Sequence, residues 1–406
     1  ATAHAQQPVV SRLPKRSCSL YIGIPFCPSR CSYCSFVSRT IGREQALVQP
    51  YLDKLCLEVE RTVEIIRELG LRLCTVYIGG GTPTVLGERL PGLVRRVRAW
   101  CAPEEFTCEA NPESFHEELA GSLAASGVTR ISLGVQSLED DELSAIGRIH
   151  TATVALEAIE LARRAGFSVS CDLMCGLPGQ HAASWRRTLE RALAAHPDHI
   201  SVYPLTVEAG TPLADRVARN PSLLPDEDFQ ADCMEVARSL CEGAGLDPYE
   251  VASYARPGHA CRHNIAYWSG VSYLGLGRSA ASLLSVGELC DVASLIPGAW
   301  PSQGDARVRF VQADDRARAF DFEYLSEREA LAEDLMLAMR MTAGAPPELI
   351  GRAQDHFGAR FDQVVEIALA EGLACVDSAT GALVPTARGW LMGNELYGLM
   401  WGLAEA

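Results

Sequence analysis

Short apolar runs alternate with amphipathic stretches through the first 245 residues of the chain. Each run ends in turn residues, and the stretches between them, such as 51–69 and 153–166, carry apolar residues at helical spacing. Several of these stretches end in Gly, which commonly follows the last turn of a helix. The pattern predicts six β-strands separated by helices, at 19–26, 74–81, 105–112, 130–137, 168–178 and 199–208.

Alternating strands and helices imply parallel strands joined by right-handed crossovers. Six such units predict an α/β fold, an open and partial (β/α)6 barrel of the TIM type, over residues 18–245. In such sheets functional residues lie at the C-terminal ends of the strands, where the candidate motifs fall. Residues 1–17 are expected to form a disordered tail. Residues 246–320, rich in Tyr, Gly, Ser and His, are expected to form an irregular extension that closes the barrel.

Residues 321–406 predict a second, helical domain of winged-helix-like order, with three helices, a short hairpin at 373–386 and a closing helix. Winged helices commonly bind DNA. This segment, however, holds fourteen acidic residues against five arginines and no lysine, and the whole chain has a net charge of −15. Because that balance repels phosphate, no nucleic-acid partner is expected and the domain is interpreted as a lid or docking module.

Composition limits where the protein is expected to be located and what most of its cysteines are expected to do. No apolar run is long enough to span a bilayer, and the first residues lack the apolar core of a secretory signal, so a cytoplasmic location is expected. The 15 cysteines are odd in number and scattered, which argues against a disulfide scaffold. Most are expected to be reduced and buried, including Cys171 and Cys175 within one predicted strand.

Cys27, Cys31 and Cys34 are the exception, because they stand four and three residues apart directly after the first predicted strand. Three kinds of site compete for them. A structural zinc site needs a fourth ligand, and no nearby Cys or His supplies one at the usual spacing. A disulfide would leave one thiol unpaired. A [4Fe–4S] cluster held by three thiolates keeps one iron open for a small molecule.

This cysteine spacing at the mouth of a partial barrel resembles the radical S-adenosylmethionine (SAM) superfamily. The resemblance implies that the open iron binds the methionine amine and carboxylate of SAM, and that reduction of SAM yields a 5′-deoxyadenosyl radical. It also implies that SAM is bound by residues near the strand ends. These are Tyr21, Tyr33, Gly80, Gly81, Thr82, Glu109, Gln136, Arg148 and Asp172.

The chemistry of some of these residues suits a ligand-binding site. The glycines of GGGTP (79–83) let the backbone approach a ligand, and Arg148 suits a carboxylate. Asp172 lies inside an apolar strand and must find a partner, because burial of an unpaired charge is costly. An alternative is that Gln136 and Arg148 only bridge neighbouring strand ends.

The segments at 21–36 (YIGIPFCPSRCSYCSF), 79–84 (GGGTPT) and 273–277 (YLGLG), together with the C-terminal domain, resemble the oxygen-independent coproporphyrinogen III oxidase-like branch of the superfamily. Two departures matter. Phe36 stands where the oxidases carry a further cysteine, and Gly23 stands where the branch usually has a histidine that is associated with the active site. Both departures argue against decarboxylation.

The segment RHNIAYW (262–268) resembles the His-Asn-x-x-Tyr-Trp element of HemW-type heme chaperones, which deliver heme. The resemblance implies His263 as a heme ligand, since a neutral imidazole can bind heme iron. Tyr267 and Trp268 would add flat apolar area for the macrocycle; alternatively, all three residues are structural.

Three functions therefore stand as hypotheses. A heme chaperone would bind the cluster, SAM and heme, and would need heme-acceptor proteins and an electron donor. A coproporphyrinogen III oxidase would decarboxylate two propionates, and a radical SAM methyltransferase would act on another aromatic substrate.

Overall fold

The computed structural model describes residues 16–312 and 320–405. Its strands are β1 Ser17–Ile24, β2 Phe26–Cys27, β3 Arg39–Thr40, β4 Arg72–Gly80, β5 Glu105–Ala110, β6 Arg130–Gln136, β7 Ser168–Cys175, β8 His199–Pro204, β9 Asp247–Glu250, β10 Ser253–Ala255, β11 Tyr273–Leu276, β12 Ala281–Ser285, β13 Asp305–Gln312, β14 Phe320–Ser326, β15 Ala374–Val376 and β16 Leu383–Pro385.

The helices are α1 Ile41–Glu68, α2 Arg89–Arg98, α3 Glu117–Ser126, α4 Asp140–Ala145, α5 Ala152–Arg164, α6 Ala182–Ala194, α7 Pro212–Arg219, α8 Glu227–Gly243, α9 Arg262–Trp268, α10 Val286–Asp291, α11 Glu327–Ala338, α12 Pro347–Phe357, α13 Ala359–Ala370, α14 Ala387–Leu391 and α15 Gly393–Trp401. Short 3-10 turns lie at Pro83–Leu86, Pro112–Ser114, Pro221–Leu223 and Gly402–Ala404.

Twelve strands form one sheet in the order β14-β13-β12-β11-β1-β4-β5-β6-β7-β8-β10-β9. Its centre is the parallel run β1-β4-β5-β6-β7-β8, which contains the six predicted strands. The predicted α/β fold with a partial (β/α)6 barrel is therefore confirmed. Because β9 and β14 stand at the two edges, the sheet is open.

Side chains of the six parallel strands alternate between two environments. One set is apolar and fully buried, as Ile22, Ile78 and Val169 are, and it packs against the helices as the main core. The other set faces the inside of the partial barrel. Burial of the apolar set fixes the register of every strand, because a shift by one residue would exchange the two faces.

The segment between the barrel and the helical domain extends the sheet at both edges. Strands β9 and β10 add to the edge at β8 in antiparallel fashion, whereas β11 joins β1 in parallel and leads to the antiparallel strands β12–β14. Strand β14 still belongs to this sheet. Residues 1–15 of the expected tail lie outside the described residues, and Ser17 already begins β1.

The C-terminal helical domain has the predicted order of three helices, a hairpin formed by β15 and β16, and closing helices. Its first helix, α11, begins at Ser326, whose side chain and that of Glu329 form a capping box. Arg340 joins the domain to α9 of the extension through a cation–π contact with Trp268, 5.1 Å from the ring centroid, and it also stacks on Tyr397 of its own domain at 4.3 Å. Trp268 lies within the segment that resembles the heme-chaperone element.

Candidate cluster and nucleotide site

A cavity of about 370 Å³ lies inside the partial barrel, between the loop that follows β1 and the inner face of the sheet. It brings together eleven of the residues singled out from the sequence: Cys27, Cys31, Tyr33, Cys34, Gly80, Gly81, Thr82, Glu109, Gln136, Arg148 and Asp172. Tyr21 and His263 are not among the lining residues. The volume suits a small-molecule ligand.

Backbone hydrogen bonds hold the cysteine loop at the mouth of this cavity. Strands β2 and β3 pair with each other, which draws the two ends of the loop together. The Ser32 N–H donates to the Ile146 carbonyl at 2.9 Å, and the Ser32 carbonyl accepts from the Leu213 N–H at 2.8 Å. Cys27, Cys31 and Cys34 are each half-buried and stand at the cavity wall. The loop therefore presents three thiols on a backbone that is anchored from two directions.

Gly81 is required by its approach to this loop. A Cβ at this position would lie 2.5 Å from the Phe26 carbonyl oxygen and 2.9 Å from the Cys27 sulfur. The Gly81 and Thr82 N–H groups donate to the carbonyls of Ile24 and Phe26 at 2.8 and 2.7 Å. Neighbouring Gly80 has φ +108°, a conformation that side chains disfavour. The glycine-rich turn after β4 thus packs its backbone directly against the first cysteine.

The chemistry of the three thiols fits a cluster better than a single ion. Among residues 16–312 and 320–405, no three His, Cys, Asp or Glu side chains converge on one point as ligands of a single metal ion would. A [4Fe–4S] cluster needs no such convergence, because each thiolate binds a different iron. Burial raises the pKa of the Cys27 and Cys34 thiols, so their thiolates need a positive partner. The irons of a cluster would supply that charge.

Two carboxylates face the cavity from adjacent parts of the sheet. Glu109 accepts hydrogen bonds from the Tyr77 hydroxyl at 2.8 Å and the Gly80 N–H at 3.1 Å. Asp172 accepts from the Ser132 hydroxyl at 3.0 Å. Burial raises the pKa of Glu109 to about 7 and that of Asp172 to about 6. The charges of Arg130 and Arg148 act to lower the pKa of Asp172, but burial outweighs them. Two buried carboxylates with raised pKa values favour a ligand that brings positive charge, such as a sulfonium or an amine.

Gln136 ends β6 in a backbone conformation that is rare for its residue type. Its φ is 64°, in the left-handed region, and the pairing register with β7 shifts between Gly134 and Gln136. Strain of this kind costs about 1–3 kcal/mol and is concentrated at functional sites. The bulge brings the Gln136 side chain to the cavity wall.

Arg148 bridges the cysteine loop and two strand ends. Its guanidinium donates to the Asn111 side-chain oxygen at 3.0 Å, to the Gly134 carbonyl, and to the Cys31 sulfur at 3.5 Å. The structure therefore supports the bridging interpretation of Arg148. Its Nε is buried and has no hydrogen-bond partner among the described residues, and such a donor is costly unless a ligand accepts from it. A carboxylate in the cavity would satisfy it.

The two predicted tyrosines have different positions. Tyr33 lies in the cysteine loop, packs beside Ile146 and lines the cavity. Tyr21 stands behind the wall, where its ring stacks on Tyr77 with 6.0 Å between centroids. Because Tyr77 donates to Glu109, Tyr21 supports a wall residue and does not itself line the cavity.

His263 lies at the opposite end of the barrel from the cysteine loop. Its Nδ1 is 2.9 Å from the Thr75 hydroxyl, and its ring contacts that of Tyr77 at 5.0 Å. The backbone N–H groups of Arg262 and His263 donate to the buried carboxylate of Glu105. Burial lowers the pKa of His263 to about 4, so its imidazole is neutral near pH 7. The neighbouring residues Cys261 and Asn264 line the cavity at the end opposite the cysteine loop.

Polar residues of the barrel interior were not singled out from the sequence, although the sequence carries their signal. Within each parallel strand, polar residues recur at every second position, whereas a TIM barrel usually fills these positions with Val, Ile and Leu. Those that line the cavity in addition to the predicted residues include Tyr77, Arg130, Ser132, Ser170, His199, Ser201 and Tyr203. An alternation in which the inward face is polar predicts a ligand chamber.

Comparisons with known proteins agree with this geometry. Residues 21–192 match the model of the radical SAM superfamily. The chain is 33% identical to the heme chaperone HemW of Mycobacterium tuberculosis over 405 residues, covering 98% of this chain and 99% of the relative. It is 32% identical to the heme chaperone HemW of Bacillus subtilis, covering 95% and 99%.

A solved structure shares the fold over nearly the whole chain. The coproporphyrinogen III oxidase HemN of Escherichia coli, a radical SAM enzyme, superposes with a TM-score of 0.74 at 22% identity, covering 97% of this chain and 92% of the oxidase. Since both chains are matched from barrel to helical domain, the likeness extends well beyond the cysteine loop. Full-length identity above 30% places the chain more narrowly, and the chain belongs to the HemW family of the radical SAM superfamily.

Proposed function

We propose that this protein is a heme chaperone that binds a [4Fe–4S] cluster, SAM and heme, and delivers heme to acceptor proteins. The observation that carries the proposal is the similarity to HemW proteins along almost the entire chain. A cytoplasmic location, as expected from the sequence, is part of this proposal. None of the helices in the described residues has the length and apolar character to cross a membrane.

In this proposal, Cys27, Cys31 and Cys34 hold the cluster at the mouth of the barrel. When bound, the cluster would supply one electron to reduce the sulfonium of SAM. The chain contributes binding and orientation. The Gly81 backbone packs closely against Cys27, and the Arg148 Nε is available to a carboxylate.

The proposed SAM site continues from the glycine-rich turn down the inner face of the sheet. Gly80, Gly81 and Thr82 form one wall, and Glu109 and Asp172 offer acceptors to an amine and to hydroxyl groups. Gln136 adds an amide from the neighbouring strand. Tyr33 supplies a flat surface beside the cysteines, and Tyr21 supports Glu109 through Tyr77.

Heme is proposed to bind at His263. Its imidazole is neutral, which is the form that ligates iron. Tyr267 keeps 43% of its surface exposed beside Trp268, with 5.2 Å between the ring centroids, so apolar ring area is accessible on the same helix. Because the Thr75 hydroxyl donates to Ser19, it accepts from Nδ1–H of His263, and Nε2 is the nitrogen left to ligate heme iron.

The decisive test is a heme titration of the anaerobically purified protein, followed by the Soret band. The wild-type protein should give a saturable shift that is lost in His263→Ala. His356→Ala is the matched control, since His356 is an exposed histidine of the helical domain and should leave the titration unchanged. A shift that persists in His263→Ala would remove His263 as ligand, and no saturable heme binding at all would contradict the chaperone.

The oxidase hypothesis is tested by a different assay. At Gly23, a Cβ would lie 3.4 Å from its nearest neighbour, the Leu276 carbonyl oxygen, so the space there admits a side chain that this protein lacks. The reconstituted protein, supplied with reductant, SAM and coproporphyrinogen III, should form no protoporphyrinogen. Formation of that product would favour the oxidase, and a methylated product with S-adenosylhomocysteine would favour a methyltransferase.

A further inference from the structure

Asn111 links three structural elements that meet at the cysteine loop. It follows β5 directly, and its side-chain amide lines the cavity. The amide nitrogen donates to the Thr82 hydroxyl and to the Glu113 carboxylate, both at 3.1 Å. The amide oxygen accepts from Arg148 at 3.0 Å. One side chain therefore ties the turn after β4, the turn after β5 and the segment after α4.

Two of the three side chains bonded to this amide, Arg148 and Thr82, lead on to a cysteine. Arg148 donates from its other terminal nitrogen to the Cys31 sulfur at 3.5 Å. The Thr82 side chain lies beside Cys27 and acts to lower the pKa of its thiol against the effect of burial. Asn111 is thus one step removed from two of the three thiols that are proposed to hold the cluster.

The orientation of Arg148 depends on this arrangement. A guanidinium is planar, so fixing one terminal nitrogen determines where the other points. Here Asn111 and the Gly134 carbonyl accept from the same nitrogen, Nη2, and this leaves Nη1 directed at Cys31. A Cβ at Gly134 would lie 3.1 Å from both the Arg148 nitrogen and the Asn111 oxygen, so the three groups are closely packed.

A cation and an N–H donor beside a cluster thiolate stabilise the more negative, reduced state of the cluster. Hydrogen bonds to the sulfurs and local charge are established determinants of the potential of iron–sulfur clusters, and outer-shell partners orient such contacts. We propose that Asn111 is a positioning residue that directs Arg148 at the Cys31 sulfur, and that this contact raises the reduction potential of the cluster. The inference rests on the proposed cluster site and goes beyond it.

The test is the midpoint potential of the reconstituted cluster, measured by EPR-monitored redox titration in the absence of SAM. Arg148→Gln removes the cation and should shift the potential to more negative values. Asn111→Leu, similar in size but without polar atoms, should shift it in the same direction by a smaller amount, at unchanged iron content. If Asn111→Leu fails to take up the cluster, Asn111→Ser replaces it, because its hydroxyl is too short to reach Arg148.

Ser114→Ala is the matched control. Ser114 lies in the same turn and donates to the Asn111 backbone carbonyl at 3.1 Å, but has no recorded contact with Arg148. The cluster of the Ser114→Ala protein should have the midpoint potential of the wild type. An Asn111→Leu protein that carries a full cluster at the wild-type potential would overturn the inference while leaving the proposed function intact. A wild-type protein that assembles no cluster would instead refute the cofactor part of the proposed function.

Discussion

The Thr75 hydroxyl lies 2.9 Å from Nδ1 of His263 and joins β4 to the segment that crosses beneath the barrel. The same hydroxyl donates to the Ser19 hydroxyl of β1 at 2.9 Å. The histidine proposed as heme ligand is therefore held in place by the barrel strand. This contact fixes the ring orientation and the tautomer in which Nε2 can bind iron, so its contribution to heme binding can be changed by mutation.

Thr75→Val should weaken heme binding about fivefold. The substitution preserves shape but removes the hydroxyl that holds His263, and a buried hydrogen bond contributes about 1 kcal/mol. Without it, the ring is free to turn or to change tautomer, and the heme-bound protein loses the orientation that directs Nε2 at iron. Heme titration by Soret absorbance measures the change.

Thr107→Val is the control for this experiment. Thr107 faces the same interior from β5 and is fully buried, and its hydroxyl has no hydrogen-bond partner in the described structure. Its substitution should leave heme affinity unchanged. Equal heme affinity in Thr75→Val and the wild type would mean that the Thr75 contact does not orient His263 for heme binding.

Glu109→Gln should stabilise the ligand-free protein at pH 8. Burial raises the pKa of Glu109 from 4.5 to about 7, so the folded state binds more protons than the unfolded state between these values. Stability therefore falls as the pH rises through that window. Removal of the ionisable group should restore about 2 to 3 kcal/mol above pH 7 and little at pH 4. Thermal denaturation at the two pH values checks this.

The Glu109→Gln variant should also bind SAM about tenfold more weakly at pH 8, because it lacks an ionised carboxylate near a cationic ligand.

Glu113→Gln should change the stability in the opposite direction from Glu109→Gln. Burial acts to raise the pKa of Glu113, but the His150 hydrogen bond and the Arg148 charge outweigh it and lower that pKa. Its removal should destabilise the protein at pH 8. Equal effects of the two variants on stability would contradict the assignment of these charges.

Cys27→Ala should abolish the iron–sulfur absorbance of the reconstituted protein and its cleavage of SAM. Cys171→Ala should retain both, because Cys171 is a fully buried residue of β7 that packs in the main core. Anaerobic absorbance and iron content distinguish the two variants. A full cluster in Cys27→Ala, or its loss in folded Cys171→Ala, would show that the ligand set is wrong.

The local pattern of apolar residues was enough to predict the parallel strands, because each is a short apolar run between turns. The predicted strands 168–178 and 199–208 end too late. The first observed strand ends at Cys175, because the next residue, Gly176, has φ +78°, and the second ends at Pro204. The extension was harder to predict. Its strands join both edges of the sheet, and no local signal states which edge a short strand will choose.

The cysteines and the glycine-rich turn could be predicted because their spacing is itself the signal. Asn111 could not, because its role arises from contacts with Thr82 and Arg148, which lie 29 and 37 residues away in the chain. Glu105 is a similar case, since it accepts from the His263 N–H over 158 residues. Hydrogen bonds of this kind depend on the assembled barrel and leave no periodic trace.

Arg340→Ala should lower the free energy of unfolding by about 2 to 4 kcal/mol and loosen the helical domain from the barrel. Arg340 stacks on both Trp268 and Tyr397, and its charge lowers the pKa of Glu250, which burial raises. Its loss removes two cation–π contacts and leaves a buried carboxyl without its cation. Chemical denaturation and limited proteolysis between the domains measure both effects.

Two further variants separate the planar stacking from the charge at this joint. Arg340→Lys keeps the charge but cannot stack as a plane on two rings, so it should recover about half of the lost stability. Arg352→Ala is the control, because the exposed Arg352 reaches Asp334 only at 3.9 Å and should cost less than about 0.5 kcal/mol. If Arg340→Ala proved no more harmful than Arg352→Ala, the domains would be held together by their apolar contacts and not by this side chain.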